Sequence, residues 1–143
     1  MIIVVDTSVI VSAMLGPGGA SREVVRRAIR GRYSPLIGQA LFAEYEAVMA
    51  EDALFAACAL TSSERNALLD AFLSACRWTR IYFNWRPNIR DETDNHVVEL
   101  AIAGGAEAIV TKNVRDFAGM ELRFAGLAIA APERFIQEQR WQS

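Results

Sequence analysis

Five carboxylates stand at or beyond stretches that read as strands: Asp6, Glu44, Asp91, Asp94 and Asp116. Asp6 ends the run Met1-Ile2-Ile3-Val4-Val5. Asp91-Glu92-Thr93-Asp94 packs three acids into four residues, and Asp116 follows Val110-Thr111-Lys112-Asn113. Carboxylates within about 5 Å of one another repel by roughly 3 kcal/mol per pair at an effective dielectric near 20. A fold does not gather several of them without a counter-charge, and these loops hold too few Lys or Arg to supply it. A hard divalent cation such as Mg²⁺, held by carboxylates, water and substrate phosphate, is the natural answer. A site of that kind activates water and neutralises charge on a phosphodiester.

The elements of the chain must bring these acids together. Ile2 to Val5 is an unbroken β-branched run, the mark of a strand buried on both faces at the centre of a parallel sheet. Asp6 then falls beyond the carboxyl end of a central strand, where open α/β sheets bind ligands. Taken as a plain structural residue, Asp6 is a cap or turn. Thr7 or Ser8 is expected to cap the next helix, through Val9, Ile10, Ala13 and Met14. Ser21–Arg32 reads as a helix whose Arg22, Arg26 and Arg30 recur every four residues. That stripe suits phosphate, but it suits a solvated helix face better.

Tyr33–Ile37 reads as a second strand, and Gln39–Glu51 as an amphipathic helix with Leu41, Phe42, Tyr45, Val48 and Met49 on one stripe. Glu44 flanks one edge of that stripe and Glu46 the other, so periodicity does not choose between them. The apolar stretch Ala53–Leu60 suits a hairpin or a partner-binding surface. Thr61 starts another helix, with Glu64 in the capping-box position. Trp78–Trp85 is expected to hold a third strand, centred on Ile81–Phe83 and ended by Pro87. The acidic loop then runs into a helix, Val97–Ala103, whose N-terminus Asp91 and Asp94 would suit as caps. His96 is the only histidine and reads as a surface or packing residue with nothing nearby to pair with it. Gly104-Gly105 ends this helix, Ala108–Val110 is a fourth strand, Leu127–Ala130 a fifth, and Pro132–Gln139 a closing helix. The alternation of strands and helices predicts one α/β domain with a mainly parallel sheet. Parallel strands carry all the acids to one edge.

Bulk properties narrow the function. The chain has 143 residues, one domain's worth, with 52% hydrophobic residues and a net charge of -2. That balance excludes a strong duplex-binding footprint without excluding brief contact with RNA. Fourteen of its fifteen basic residues are Arg, and Lys112 is alone. Cys58 and Cys76 are too few for a disulfide framework or a zinc site and are expected to be reduced. No basic segment precedes Ile2, and no apolar run approaches membrane-spanning length. A cytoplasmic protein without a membrane partner is expected.

The sequence resembles the PIN-domain family, and is similar to VapC-type ribonuclease toxins of toxin–antitoxin pairs. The resemblance covers nearly the whole chain. It rests on Val5-Asp6-Thr7-Ser8, Glu44-Tyr45, Asp91-Glu92-Thr93-Asp94-Asn95, and Val110-Thr111-Lys112-Asn113 with Asp116-Phe117. It implies a three-layer α/β/α sandwich. By this likeness Asp6, Glu44 and Asp94 match the acidic triad and Asp116 the usual fourth acid, which selects Glu44 over Glu46. Ser8, Asn95 and Thr111 match positions that hydrogen-bond in such sites, and Asp91 stands beside them. Many members carry Asp where Asn113 stands, so this chain has one charge fewer on the side of a second ion. The resemblance further implies an endoribonuclease using Mg²⁺ or Mn²⁺, a homodimer, an RNA substrate and an antitoxin that blocks the site.

Three other readings compete. A phosphoreceiver domain needs an acidic pair at strand one and a Lys after the last strand, whereas Lys112 follows the fourth. An Asp-x-Asp phosphatase needs a second acid where Ser8 stands. A catalytically silent binding module would not need all four acids.

Overall fold

The computed structural model describes residues 1–81, 95–117, 124 and 126–139. β1 (Ile2–Val5) lies at the centre of the sheet, and Ile3, Val4 and Val5 have no exposed surface. β2 (Ser34–Ile37) and β3 (Arg77–Trp78) lie to one side, β4 (Ala108–Val110) and β5 (Ala128–Ala130) to the other. Among the described residues the order is β3-β2-β1-β4-β5, and every pairing is parallel. The continuous apolar run of β1 is explained by this position, since a central parallel strand meets helices on both faces.

The described helices are α1 (Thr7–Leu15), α2 (Ala20–Ile29), α3 (Gln39–Met49), α4 (Ser62–Ala75), α5 (Asn95–Gly104) and α6 (Pro132–Gln139). From β1 the chain steps outward through β2 to β3. It then returns by way of α5 to β4 on the far side of β1. Right-handed crossovers put helices of the outward steps on one face and α5, of the return step, on the other. The contacts agree: α2 packs on α1, α4 and α6, while α5 packs on β1, β2 and β4. The result is the expected three-layer α/β/α arrangement. The reversal makes the gap between β1 and β4 the switch point, where such sheets bind ligands.

Local chemistry explains several boundaries. Thr61 and Glu64 form the expected capping box, with each side chain accepting from the other's backbone N–H, at 3.1 and 2.9 Å. The arginine stripe of α2 serves the fold. Arg22 donates to the Ala13 and Met14 carbonyls at the end of α1, at 2.6 and 3.4 Å, and Arg26 and Arg27 pair with Glu23. Cys58 is a free thiol that donates to the same Met14 carbonyl. Cys76 is also free, and burial pushes its thiol up to about 12.

Two expectations are corrected. The third strand is Arg77–Trp78 rather than Ile81–Phe83; Ile81 lies outside any strand, and residues 82 and 83 fall outside the described residues. Register supplies the reason. Ser34 N–H donates to Met1 C=O, so alternation turns the Pro35 nitrogen toward the β3 side. Pro35 has no N–H to give, and β3 begins opposite Leu36, just past it. Within Ala53–Leu60 there is no hairpin. Asp52–Phe55 forms a single 3₁₀ turn with Phe55 buried beneath the Arg65 guanidinium, 4.5 Å from the ring centroid. Arg65 also donates to Leu60 C=O at 3.0 Å. Leu54 and Trp78 remain exposed. Trp85 and Trp141 fall outside the described residues. No described helix is long and apolar enough to cross a membrane.

The end of α5 depends on a glycine. A Cβ on Gly104 would sit 2.3 Å from Leu36 Cδ1, and Leu36 is a buried residue of β2. Alanine inside a helix ordinarily gains about 1 kcal/mol over glycine. Here overpacking should outweigh that gain. Gly104→Ala is expected to lower the unfolding free energy by about 1–3 kcal/mol in urea titrations. Adding Leu36→Val, which removes the clashing methyl, should restore part of the loss.

Candidate active site

Asp6 follows the last residue of β1 and is 3% exposed. Its backbone continues the sheet, donating to Val110 C=O at 2.9 Å. Its carbonyl accepts from Val9 N–H and so begins α1, which makes Asp6, rather than Thr7 or Ser8, the residue at the cap position. Its carboxylate makes no capping bond. Instead Oδ2 accepts from Ser8 Oγ at 2.7 Å and from Thr111 Oγ1 at 2.8 Å. The cap reading of Asp6 therefore holds for its backbone and fails for its side chain.

The register of β1 and β4 builds this contact. Val5 lies beside Val110, so the next residues, Asp6 and Thr111, emerge together at the switch point. Both hydroxyls are themselves anchored. Ser8 Oγ accepts from Lys112 N–H at 3.0 Å, and Thr111 Oγ1 accepts from Asn113 N–H at 3.0 Å. Each hydroxyl thus spends its proton on Asp6 and its lone pair on the turn after β4.

Glu44 arrives from α3. The neighbouring Tyr45 is fully buried and donates its hydroxyl to Val5 C=O, at the end of β1. A phenol on an apolar stripe needs a buried acceptor, and finding one here fixes the rotation of α3. That rotation turns Glu44 toward the strand end and leaves Glu46 exposed on the far side, lining a cleft between α3 and α4. Thr7 donates its hydroxyl to Glu44 Oε1. Burial, followed by Cys76, Asp6 and Glu44, holds the Tyr45 hydroxyl protonated, well above its ordinary range. Both carboxylates therefore contribute to raising the same phenol.

His96 corrects the sequence reading. Its Nε2 lies 2.8 Å from Glu44 Oε2, so it does have a partner. The two residues are 52 positions apart, and no local pattern signals the contact. The available hint was position alone, in the first turn of the helix that follows the acidic loop.

Asn113 is exposed, and its carbonyl accepts from Asp116 N–H at 2.9 Å. Asp116 is half-buried in the single 3₁₀ turn Val114–Phe117, anchored by the buried Phe117. Asn95 opens α5. Asp91 and Asp94 lie outside the described residues. Among the described residues no three His, Cys, Asp or Glu side chains cluster closely enough to hold a metal. The described part of the site thus holds two carboxylates, Asp6 and Glu44, bonded to the neighbouring hydroxyls of Ser8 and Thr7, with an imidazole on Glu44.

Removing a hydroxyl from this network should be measurable. Thr111→Val leaves Asp6 one donor short and deprives Asn113 N–H of its acceptor, in a position with no exposure. A loss of about 1–3 kcal/mol in unfolding free energy is expected by urea titration. Thr111→Ser should retain most of the stability, and Ser8→Ala should cost less than Thr111→Val because Ser8 is only half-buried.

A family profile described as "PIN domain" matches residues 2–115. A search of curated proteins returned no match. Among solved structures, a chain of VapBC2 from Rickettsia felis, crystallised bound to a DNA fragment from its promoter, superposes with a TM-score of 0.56. The alignment covers 90% of this chain and 97% of that one at 16% identity, which is a likeness of fold. With its family profile spanning most of the sequence, the chain belongs to the PIN-domain family.

Proposed function

We propose that this PIN-domain protein is a metal-dependent endoribonuclease, the toxin of a cytoplasmic toxin–antitoxin pair. The observation that supports this most is the buried Asp6 carboxylate at the switch point, with Glu44 bonded to the next residue, Thr7. The fold likeness to VapBC2 supports an antitoxin as partner. So does the apolar, largely exposed stretch Ala53–Leu60. A homodimer and an RNA substrate complete the proposal.

The donor set suits Mg²⁺ or Mn²⁺. Asp6 and Glu44 offer hard carboxylate oxygens, whereas both thiols are turned onto the Met14 and Phe72 carbonyls. Asp6, Glu44, Asp94 and Asp116 would hold the ion, Asp94 and Asp116 by their match to the family's acids. When bound, the ion supplies an acidified water and neutralises charge on the scissile phosphodiester. The chain's own residues do the rest. Ser8 and Thr111 tie down Asp6 Oδ2, and among the described residues Oδ1 takes no hydrogen bond. That oxygen is kept as a ligand of fixed direction. Thr7 holds Glu44 from the same turn, so both acids are oriented by consecutive residues of one helix start.

The test is RNA cleavage with and without Mn²⁺, for the wild-type chain and variants. Asp6→Asn and Asp94→Asn are each expected to abolish cleavage and to melt no lower than wild type in EDTA, since removing a charge relieves like-charge repulsion. Full activity in Asp94→Asn would remove it from the site. Produced alone in cells, the chain should inhibit growth and its Asp6→Ala form should not. Equal inhibition by both rules out a nuclease toxin, and a wild-type chain without cleavage leaves a binding module.

Asp116 should behave differently. It sits in a turn past β4, tied by its backbone to Asn113, which contributes no charge. Loss of an outer ligand typically costs about 10- to 100-fold in metal affinity or activity. Asp116→Asn is expected to need correspondingly more Mn²⁺ for half-maximal cleavage and to recover at high metal. Asp6→Asn should not recover. A metal titration of the two variants side by side decides it.

A further inference from the structure

We infer that His96 is a positioning residue for Glu44, holding that carboxylate in the direction from which it meets the metal. The inference rests on the reading of Glu44 as a metal ligand. A carboxylate only accepts, so the nitrogen facing Glu44 Oε2 carries the proton, and the ring donates through Nε2 at 2.8 Å. Thr7 donates to the other oxygen, Oε1. Two donors thus grip the two oxygens of one carboxylate, one from the residue after Asp6 and one from the first turn of α5. Glutamate has three rotatable bonds, and the Glu44 side chain is 34% exposed, so packing alone does not fix it. The paired donors remove rotation about its last bond.

The other imidazole nitrogen tells the same story. Nδ1 is buried and has no hydrogen-bond partner among the described residues. A histidine kept for the fold ordinarily satisfies both nitrogens when buried. His96 directs its Nε2 hydrogen bond to Glu44, and among the described residues its Nδ1 stays unsatisfied. That cost is tolerated where a ligand must be preorganised by residues whose own orientation is locked. His96 also brings α5 to α3 directly across the site, linking the helix after the acidic loop to the helix that carries Glu44.

The test is Mn²⁺ binding by titration calorimetry on the full chain, with RNA cleavage measured in parallel. His96→Phe keeps an aromatic ring and loses the donor. It is expected to weaken Mn²⁺ binding by about 10- to 100-fold, the range for groups that orient metal ligands. His96→Gln, whose amide N–H reaches the Nε2 position, should bind near the wild-type level, while the shorter His96→Asn should not. In a Glu44→Gln background His96→Phe should cause little further loss, because the residues act as a unit. Wild-type binding in His96→Phe, equal binding by the Gln and Asn variants, or an undiminished effect in Glu44→Gln would each overturn the inference. Should His96→Phe fail to fold by circular dichroism, the Gln and Asn pair decides the matter alone. A wild-type chain that binds no Mn²⁺ overturns the metal reading beneath, and a wild-type chain that binds it isolates the result to His96.

Discussion

A carboxylate taken out of water at the end of a buried strand must be solvated by the protein itself. Asp6 is that carboxylate, and the arrangement around it follows from the requirement. It is 3% exposed, directly after three residues with no exposure. Its two hydroxyl donors come from α1 and from the loop after β4, so neither element can be placed without the other. Both hydroxyls in turn accept from backbone N–H groups of the β4 loop. On the Oδ2 side every hydroxyl and N–H group of the network has its partner, which makes that side rigid. Register is held to the same standard. A one-residue slip between β1 and β4 would turn Thr111 away from Asp6 and exchange the two faces of the strand.

The second acid is positioned by a different device. α3 docks through Tyr45, whose ring packs edge-to-face on Phe72 with centroids 6.2 Å apart and whose hydroxyl reaches Val5 C=O. One side chain thus joins α3 and α4 to the end of the central strand. Glu44 precedes it and faces the site as a consequence. Burial, followed by Cys76, Asp6 and Glu44, raises the phenol that makes this contact. A neutral donor that does not ionise is the right group for that position.

What was legible in the sequence was whatever local chemistry decides. The β-branched run Ile2–Val5, the Thr61–Glu64 box and Pro132 at the head of α6 each specify their element without reference to the rest of the chain. The location of Asp6 beyond a central strand followed from the same run. Tertiary decisions were not legible. Glu44 and Glu46 flank the apolar stripe equally, and the choice is made by a phenol finding a carbonyl 40 residues away. The third strand was expected where β-formers are densest, but the unpaired edge of β2 begins just after Pro35, and pairing goes to Arg77–Trp78. The partner of His96 was hidden for a simple reason: an imidazole pattern has no periodicity, and its acceptor belongs to another helix. Asp6 itself was half legible, since its backbone does begin α1 while its side chain caps none of that helix's N–H groups and bonds the Ser8 and Thr111 hydroxyls instead.

The kind of compensation given to Asp6 bears on what the site is for. The chain holds fourteen arginines, and several of the described ones are committed elsewhere. Arg22 closes the end of α1, Arg26 and Arg27 pair with Glu23, Arg65 covers Phe55, and Arg134 pairs with Glu138. Among the described residues no Lys or Arg forms an ion pair with Asp6. Hydroxyl dipoles make its burial bearable, yet they leave the formal charge in place, whereas a guanidinium would have cancelled it. A fold selecting only for stability would do better with the ion pair or with an apolar residue at this position. Keeping the charge while satisfying its geometry preserves a negative potential at the switch point, and a negative potential with an oriented oxygen is what a hard cation requires.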